Sequence, residues 1–259
     1  MADLRNYQAR AGVAGSRAGA AIDEGLRAYM LKVYNLMALG LAITGLAALG
    51  TVMVATTNDP ASAVATLANG KMLTNAGALL YGSPLRWVVM LAPLGMVFYL
   101  SARVHTMSIS AAQTSFWIFA GLMGLSLSSI FLVYTSASIV QTFFITATAF
   151  GGLSLWGYTT KRDLSGMGTF LVMGVFGLII AMVVNIFLQS SALQFAISAI
   201  GVLVFSGLTA YDTQKIKEMY YEGDEVLVAG RKAIMGALTL YLDFINLFSF
   251  LLSFLGNRE

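Results

Sequence analysis

The sequence predicts an all-α, polytopic membrane protein, and two observations carry this prediction. Hydrophobic residues make up 58% of the 259 residues and charged residues only 10%, whereas an ordinary soluble domain has roughly 25% charged residues. The few charges also cluster in short segments between apolar runs that are long enough to cross about 30 Å of hydrocarbon. Little polar sequence is left from which a soluble domain could be built.

Seven apolar runs can be assigned in chain order. Residues 1–32 form a polar leader, and the run that follows has 23 residues without a charge, which exceeds the core of a signal peptide and fits a retained first span. No Asp, Glu, Lys or Arg occurs for 57 residues between Arg103 and Lys161, so this stretch is divided into two spans at "YTSAS". The run 164–211 is divided in the same way at "LQSSALQ". The predicted spans are about 33–55, 85–102, 115–134, 139–158, 168–187, 194–211 and 233–255.

Lysine and arginine fall mainly in the leader and in alternate loops. The loops after the second, fourth and sixth spans are basic, whereas the other inter-span loops carry only Lys71 and Arg86. Because basic residues are retained on the cytoplasmic side, we expect a cytoplasmic N-terminus and a C-terminus on the outer face of a cell membrane. The net charge is +3, but the basic residues are spread over several short segments and form no single patch. No nucleic-acid partner is therefore predicted.

The sequence carries no sign of an enzyme or of a bound cofactor. It has no cysteine, and its single histidine, His105, cannot form a multi-histidine metal site. Phosphate loops, nucleophile elbows, zinc-protease helices and dinucleotide fingerprints are all absent from the sequence. We therefore expect the chemistry to lie in charged residues within the spans.

Asp243 stands in the middle of the last apolar run, "ALTLYLDFINLFSFLL" (237–252). It lies roughly 15 Å from the predicted start of its span, where inserting an aspartate costs roughly 2.5–3.5 kcal/mol. Thr239 and Asn246 share its helical face at i−4 and i+3. The acid is either a hydrogen-bonded packing group or part of a functional site, and intramembrane acids favour the second interpretation.

Asp212 ends the sixth apolar run in "FSGLTAYDTQKIKEMY" (205–220). It could be an ordinary interfacial charge. The residues after it are good helix formers, however, which predicts that the sixth helix continues beyond the membrane with Asp212 inside it.

These two blocks resemble the signature segments of the Bax inhibitor-1 family, also called the transmembrane Bax inhibitor motif or LFG family. Weaker similarity is present in "RAYMLKVYNLMALGLAITG" (27–45) and "GLSLSSIFLVY" (124–134). The seven-span layout matches this family across most of the chain, and the long leader resembles that of bacterial members, which would place the protein in the bacterial inner membrane.

The resemblance implies a bundle in which six helices surround the seventh, with Asp212 and Asp243 hydrogen-bonded to each other. Bacterial members are described as pH-sensitive calcium leak channels, so calcium and protons are the implied partners and the two aspartates a weak, transient calcium site. A second-helix arginine is thought to pair with the sixth-helix aspartate and hold the pore shut. Arg103 is the basic residue near that position, although arginines so placed commonly extend to the interface instead.

Physical reasoning agrees with this implied role. Two carboxyl groups in a low-dielectric site cannot both ionise at low cost, so they titrate as a pair. Calcium prefers carboxylate and carbonyl oxygens, and a leak requires weak binding because a tightly held ion does not leave. The leading hypothesis is a pH-regulated calcium leak, or calcium/proton exchange, gated by this pair, with Asn246 and Thr239 as neighbours of the pathway.

Two other hypotheses remain open from sequence. Some bacterial relatives are described as modulators of a membrane-bound ATP-dependent protease, which would make this chain a non-conducting regulator that acts through the leader 1–32. An intramembrane aspartyl protease also uses two membrane aspartates, but its motif has Gly before the second acid and Leu242 stands there instead.

Overall fold

The computed structural model describes residues 2–258, with side chains described for residues 24–258. Within this range the chain is predominantly α-helical, and seven helical segments are long and apolar enough to cross a membrane. The prediction of an all-α polytopic membrane protein is confirmed. The helices are α1 (Ala2–Ala55), α2 (Asn75–Gly77), α3 (Leu85–Arg103), α4 (Ile109–Leu127), α5 (Ile130–Val133), α6 (Ser136–Thr159), α7 (Ser165–Leu188), α8 (Ser191–Glu218) and α9 (Val226–Leu255).

Hydroxyl side chains define the starts of three spanning helices. Before α4, Ser108 accepts a hydrogen bond from the Ala111 amide at 3.2 Å. Before α6, Thr135 accepts one from the Ser138 amide, also at 3.2 Å. Ser190 caps α8 at 3.3 Å. Each cap satisfies an amide that has no partner within its helix, so the short loops between spans also set where the next helix begins.

Six of the seven spanning helices are longer than the predicted spans. The third span, predicted over 115–134, is instead divided into α4 (Ile109–Leu127) and, after a break, α5 (Ile130–Val133). Helix α8 continues to Glu218, which confirms the predicted extension of the sixth helix beyond Asp212. Helix α9 starts at Val226 and runs unbroken for 30 residues. Hydropathy ends a predicted span at its first charged residues, whereas helical hydrogen bonds continue through them. Most of the predicted leader, up to residue 23, lies outside the residues whose side chains are described.

The predicted loop 56–83 contains structure that the sequence did not reveal. It forms a three-stranded antiparallel sheet of β1 (Thr56–Thr57), β2 (Ala65–Thr66) and β3 (Met72–Leu73), in the order β1-β3-β2. Helix α2 and a π-helical turn, Ala78–Gly82, follow it. Lys71 Nζ donates to the Phe131 carbonyl at 2.5 Å and so ties the sheet to α5. Strands of two residues are too short for hydropathy to show a period of two.

Helix α9 is the central element of the bundle. In its most apolar stretch 61% of the residues are buried, against 11–39% in the other spanning segments of the described chain. It packs against α1, α4, α6 and α8, whereas α3 packs mainly on α4 and α7 mainly on α8. The seventh helix is therefore central as predicted, but four helices rather than six form its immediate shell.

A buried hydroxyl pair connects α9 to α1. Tyr241 is fully buried, and its hydroxyl is 2.6 Å from Thr44 Oγ1. The Thr44 hydroxyl also lies 2.9 Å from the Ala120 carbonyl of α4. This group therefore joins three helices at one point in the core.

Replacing Tyr241 with Phe is expected to lower the free energy of unfolding by about 1 kcal/mol, the usual loss for one buried hydrogen bond. Thermal unfolding in detergent, followed by circular dichroism, measures the effect. The matched control is Tyr99→Phe, because Tyr99 is 48% exposed and should tolerate the change. Equal melting temperatures for both variants would contradict the assigned hydrogen bond.

Candidate functional site

Helices α8 and α9 bring Asp212 and Asp243 together. The two carboxyl groups lie close enough to each other to share a hydrogen bond when one of them is protonated. Asp243 is only 5% exposed and Asp212 is half-buried. An ionised carboxylate only accepts hydrogen bonds, so a bond between two carboxyl groups requires a proton on one of them. The geometry thus fits a pair that shares one proton.

A second observation supports this protonation state. Oδ2 of Asp243 is fully buried, and no N–H or O–H group of the described residues donates to it. An ionised oxygen without a donor is costly in such an apolar setting. Asp212 is the adjacent group that can supply the missing proton.

Arg103 is not brought to this pair. Its side chain is exposed at the end of α3, and no ion pair joins it to Asp212 or Asp243 within the described chain. The contact implied by the family resemblance is therefore not formed in this structure. The basic side chain on the same helical face as Asp212 is instead Lys215, three residues further along α8, whose Nζ lies 5.8 Å from the centre of the Tyr211 ring.

From the sequence, Lys215 was counted only among the basic residues of the loop after the sixth span, which indicate the membrane orientation. Its spacing of three residues from Asp212 was an available signal. Residues at i and i+3 are neighbours on a helix surface, and the helix was already expected to continue through this segment. The two side chains therefore belong to one helical face.

Thr239 and Asn246 lie near Asp243 along α9 but neither hydrogen-bonds to its carboxyl group. Thr239 Oγ1 donates to the Met235 carbonyl at 3.1 Å, and Asn246 Nδ2 donates to the Leu242 carbonyl at 2.8 Å. No group of three or more His, Cys, Asp or Glu residues in the described part of the chain is placed to hold a metal ion. Two carboxyl groups suit transient rather than tight calcium binding.

A chain of hydroxyls also connects the helices beside the pair. Tyr34 of α1 lies 2.6 Å from Ser154 of α6, which lies 2.8 Å from Thr213 of α8. Thr213 directly follows Asp212 and donates to the Thr209 carbonyl. Isolated Ser and Thr residues are common in spans, so the sequence gave no reason to single these out.

Loops at the basic end of the bundle, formed by 104–108, 160–164 and 219–225, are attached to α8 and α9. Gln214 accepts from the Leu164 amide at 2.9 Å and donates to the Arg162 carbonyl at 2.8 Å. Lys217 donates to the Tyr158 carbonyl and Arg231 to the Met107 carbonyl. These two cationic side chains donate to carbonyl groups at helix ends, which lack partners within their helices. Displacement of α8 or α9 would therefore move the attached loops.

Taken together, the fold and this site define a multi-pass membrane protein whose central and most buried helix carries a buried acid, Asp243, beside Asp212 of the neighbouring helix. The family model described as "Inhibitor of apoptosis-promoting Bax1" matches residues 26–259. The chain belongs to this family, the Bax inhibitor-1 family.

Bacterial relatives match over nearly their whole length. An uncharacterized protein of Rickettsia prowazekii is 49% identical, with 92% of each chain covered, and one of Caulobacter vibrioides is 47% identical over all of both chains. The inner membrane protein YbhL of Escherichia coli is 45% identical, covering 91% of this chain and 94% of its own. The predicted membership of the Bax inhibitor-1 family is thereby confirmed.

Proposed function

We propose that the protein is a pH-regulated calcium leak channel, or a calcium/proton exchanger, gated by Asp212 and Asp243. The observation that carries this proposal is the close approach of the two carboxyl groups between α8 and the central helix α9, with Asp243 buried. By analogy with the E. coli relative, the chain resides in the inner membrane. The positive-inside rule places the basic end and the N-terminus in the cytoplasm.

The shared proton acts as a bridge between α8 and α9. When that proton leaves, two negative charges face each other in a low-dielectric site, and each is then stabilised by a cation or by separation. Calcium can serve as that cation, with Asn246 and Thr239 offering further oxygens along the same helix. A site with so few fixed ligands holds calcium briefly, as conduction requires.

Arg103 enters the mechanism only as a cation recruited by the ionised pair. The side chain of Arg103 is exposed and apart from the carboxyl pair in this structure, so their pairing requires displacement of α3. Helix α3 packs mainly on α4, and its movement would leave the core around α9 intact. Recruitment of Arg103 would close the pathway, whereas separation of α8 and α9 would open it.

The test is calcium entry into proteoliposomes that contain the purified full-length protein, scanned from about pH 6 to 8. We expect entry to change with pH. A decrease with rising pH indicates that the ionised pair recruits Arg103, and Arg103→Gln should then abolish the decrease. An increase indicates that repulsion between the carboxylates opens the α8–α9 seam, and Arg103→Gln should then have little effect.

Absence of calcium entry at every pH would refute the proposal. The chain would then be better explained as a non-conducting regulator of another membrane protein, such as a membrane-bound ATP-dependent protease. Deleting the leader should in that case abolish regulation while the seven spans still fold.

A further inference from the structure

The seam between α8 and α9 is layered along its length, from a polar end to the aspartate pair. On α8 the facing residues recur every three or four positions, which places them on one side of the helix. The same spacing holds on α9. The α8 stripe is Gln194, Ser198, Gly201, Phe205, Leu208 and Asp212, and the α9 stripe is Ser253, Phe250, Leu247 and Asp243.

The outer layer of the seam is a polar cavity at the end of the bundle away from the basic loops. It has a volume of about 500 Å³ and is lined by residues that include Asn185, Gln194 and Ser253. The Gln194 amide oxygen accepts a hydrogen bond from Asn185 Nδ2 at 3.1 Å, and its Nε2 donates to Ser253 Oγ at 3.2 Å. Below it, the buried Ser198 donates to Ser253 at 2.9 Å. Polar partners and space for water make this cavity an aqueous vestibule.

The middle layer is aromatic and tightly closed. The Phe250 ring occupies the space beside Gly201, where an added Cβ would approach the ring to 2.5 Å. Phe205 stacks on Phe250 with ring centres 5.6 Å apart, and each is 8% exposed. Leu208 and Leu247 continue this apolar layer towards the aspartates and are buried as well.

We propose that Phe205 and Phe250 form a hydrophobic barrier that separates the vestibule from the Asp212–Asp243 pair. Apolar constrictions exclude water and hydrated ions, and a hydrated calcium ion cannot cross stacked rings unless they move apart. This inference rests on the proposed function for the identity of the ion. The barrier itself is a property of water access and can be tested separately.

Arg258 adds a positive charge to the vestibule. Its side chain lines the cavity, and its guanidinium carbon lies 5.7 Å from the centre of the Tyr134 ring. A cation that enters from this end meets Arg258 before it meets the aromatic layer. Both features keep the resting permeability to calcium low.

Water access can be measured with single cysteines because the native chain has none. In purified full-length protein, Ser253→Cys should react with a charged methanethiosulfonate reagent, whereas Leu247→Cys and Leu208→Cys should not. Adding Phe250→Ala should accelerate labelling at both inner positions by about tenfold or more, because the constriction no longer excludes water. Rapid labelling of the inner cysteines with Phe250 intact, or no acceleration after its removal, would overturn the barrier.

A matched control is available on the same two helices. Phe195 and Phe254 are also in ring contact, with ring centres 5.0 Å apart, but they are 60% and 39% exposed, and Phe195 lines the vestibule rather than the aromatic layer. Phe254→Ala should leave inner labelling unchanged, and size-exclusion profiles verify that each variant is folded. An equal effect of Phe254→Ala would indicate general loosening and overturn the assignment to Phe250.

Calcium entry distinguishes failure of the barrier from failure of the proposed function. Phe250→Ala should raise calcium entry across the whole pH range, and Phe254→Ala should not. Accelerated labelling without calcium entry in any variant would retain the barrier and refute the calcium function. Calcium entry in the parent protein without any change in labelling would refute the barrier alone.

Discussion

Replacing Asp243 with Asn is expected to make calcium entry nearly independent of pH between about 6 and 8, the range where a carboxyl pair held in an apolar site can titrate. Asn has almost the same shape and carries N–H donors, so it can donate to Asp212 at all pH values. The bridge between α8 and α9 then persists while the titration of the pair is lost. Measuring entry in proteoliposomes at several pH values gives the slope directly.

Two companion variants sharpen this experiment. Asp212→Asn should flatten the profile to a similar extent, because the titration belongs to the pair rather than to either residue. Glu222→Gln removes one exposed acid from the basic-end loop and should leave the profile unchanged. A full pH dependence in both aspartate variants would eliminate the pair as the sensor.

Replacing Gly157 with Ala is expected to destabilise the bundle by about 1–3 kcal/mol, the range for overpacking a filled core. An added Cβ would lie 2.2 Å from the Ala210 carbonyl oxygen of α8, and a helix backbone cannot yield as a flexible side chain can. Helices α6 and α8 would have to separate next to the turn that carries Asp212. Thermal unfolding in detergent measures the loss.

The same helix supplies the control for this prediction. Gly152 has open space where its Cβ would be, and Gly→Ala in a helix interior stabilises by roughly 0.5–1 kcal/mol. The two substitutions on α6 should therefore shift the melting temperature in opposite directions. A fall of similar size in both melting temperatures would show that the two glycines respond alike. The close approach of Gly157 to α8 would then be unimportant for stability.

The spans could be predicted because hydropathy and helix length are local properties. An uncharged run of sufficient length is stable in a bilayer only as a helix, since its backbone groups must be satisfied within the segment. The extension of α8 past Asp212 followed from helix propensity alone. The small sheet in 56–83 could not be predicted, because its two-residue strands depend on anchors such as Lys71, which is tied to α5.

The site was predicted unevenly for a similar reason. Asp243 was conspicuous because an acid in an apolar run has few interpretations, whereas its contact with Asp212 came only from family resemblance. The position of Arg103 depends on where α3 packs, and the aromatic layer of Phe205 and Phe250 depends on how α8 and α9 are rotated towards each other. Neither rotation nor packing position is encoded in hydropathy.

By itself, the sequence determined that this protein spans a membrane several times and carries an acid in the middle of its last span. Only the tertiary structure decided that Arg103 lies apart from Asp212, that four helices enclose α9, and that an apolar layer lies between the aspartates and a polar cavity. Membrane insertion depends on local composition, whereas these contacts depend on the close packing of helices through residues such as Gly157 and Gly201.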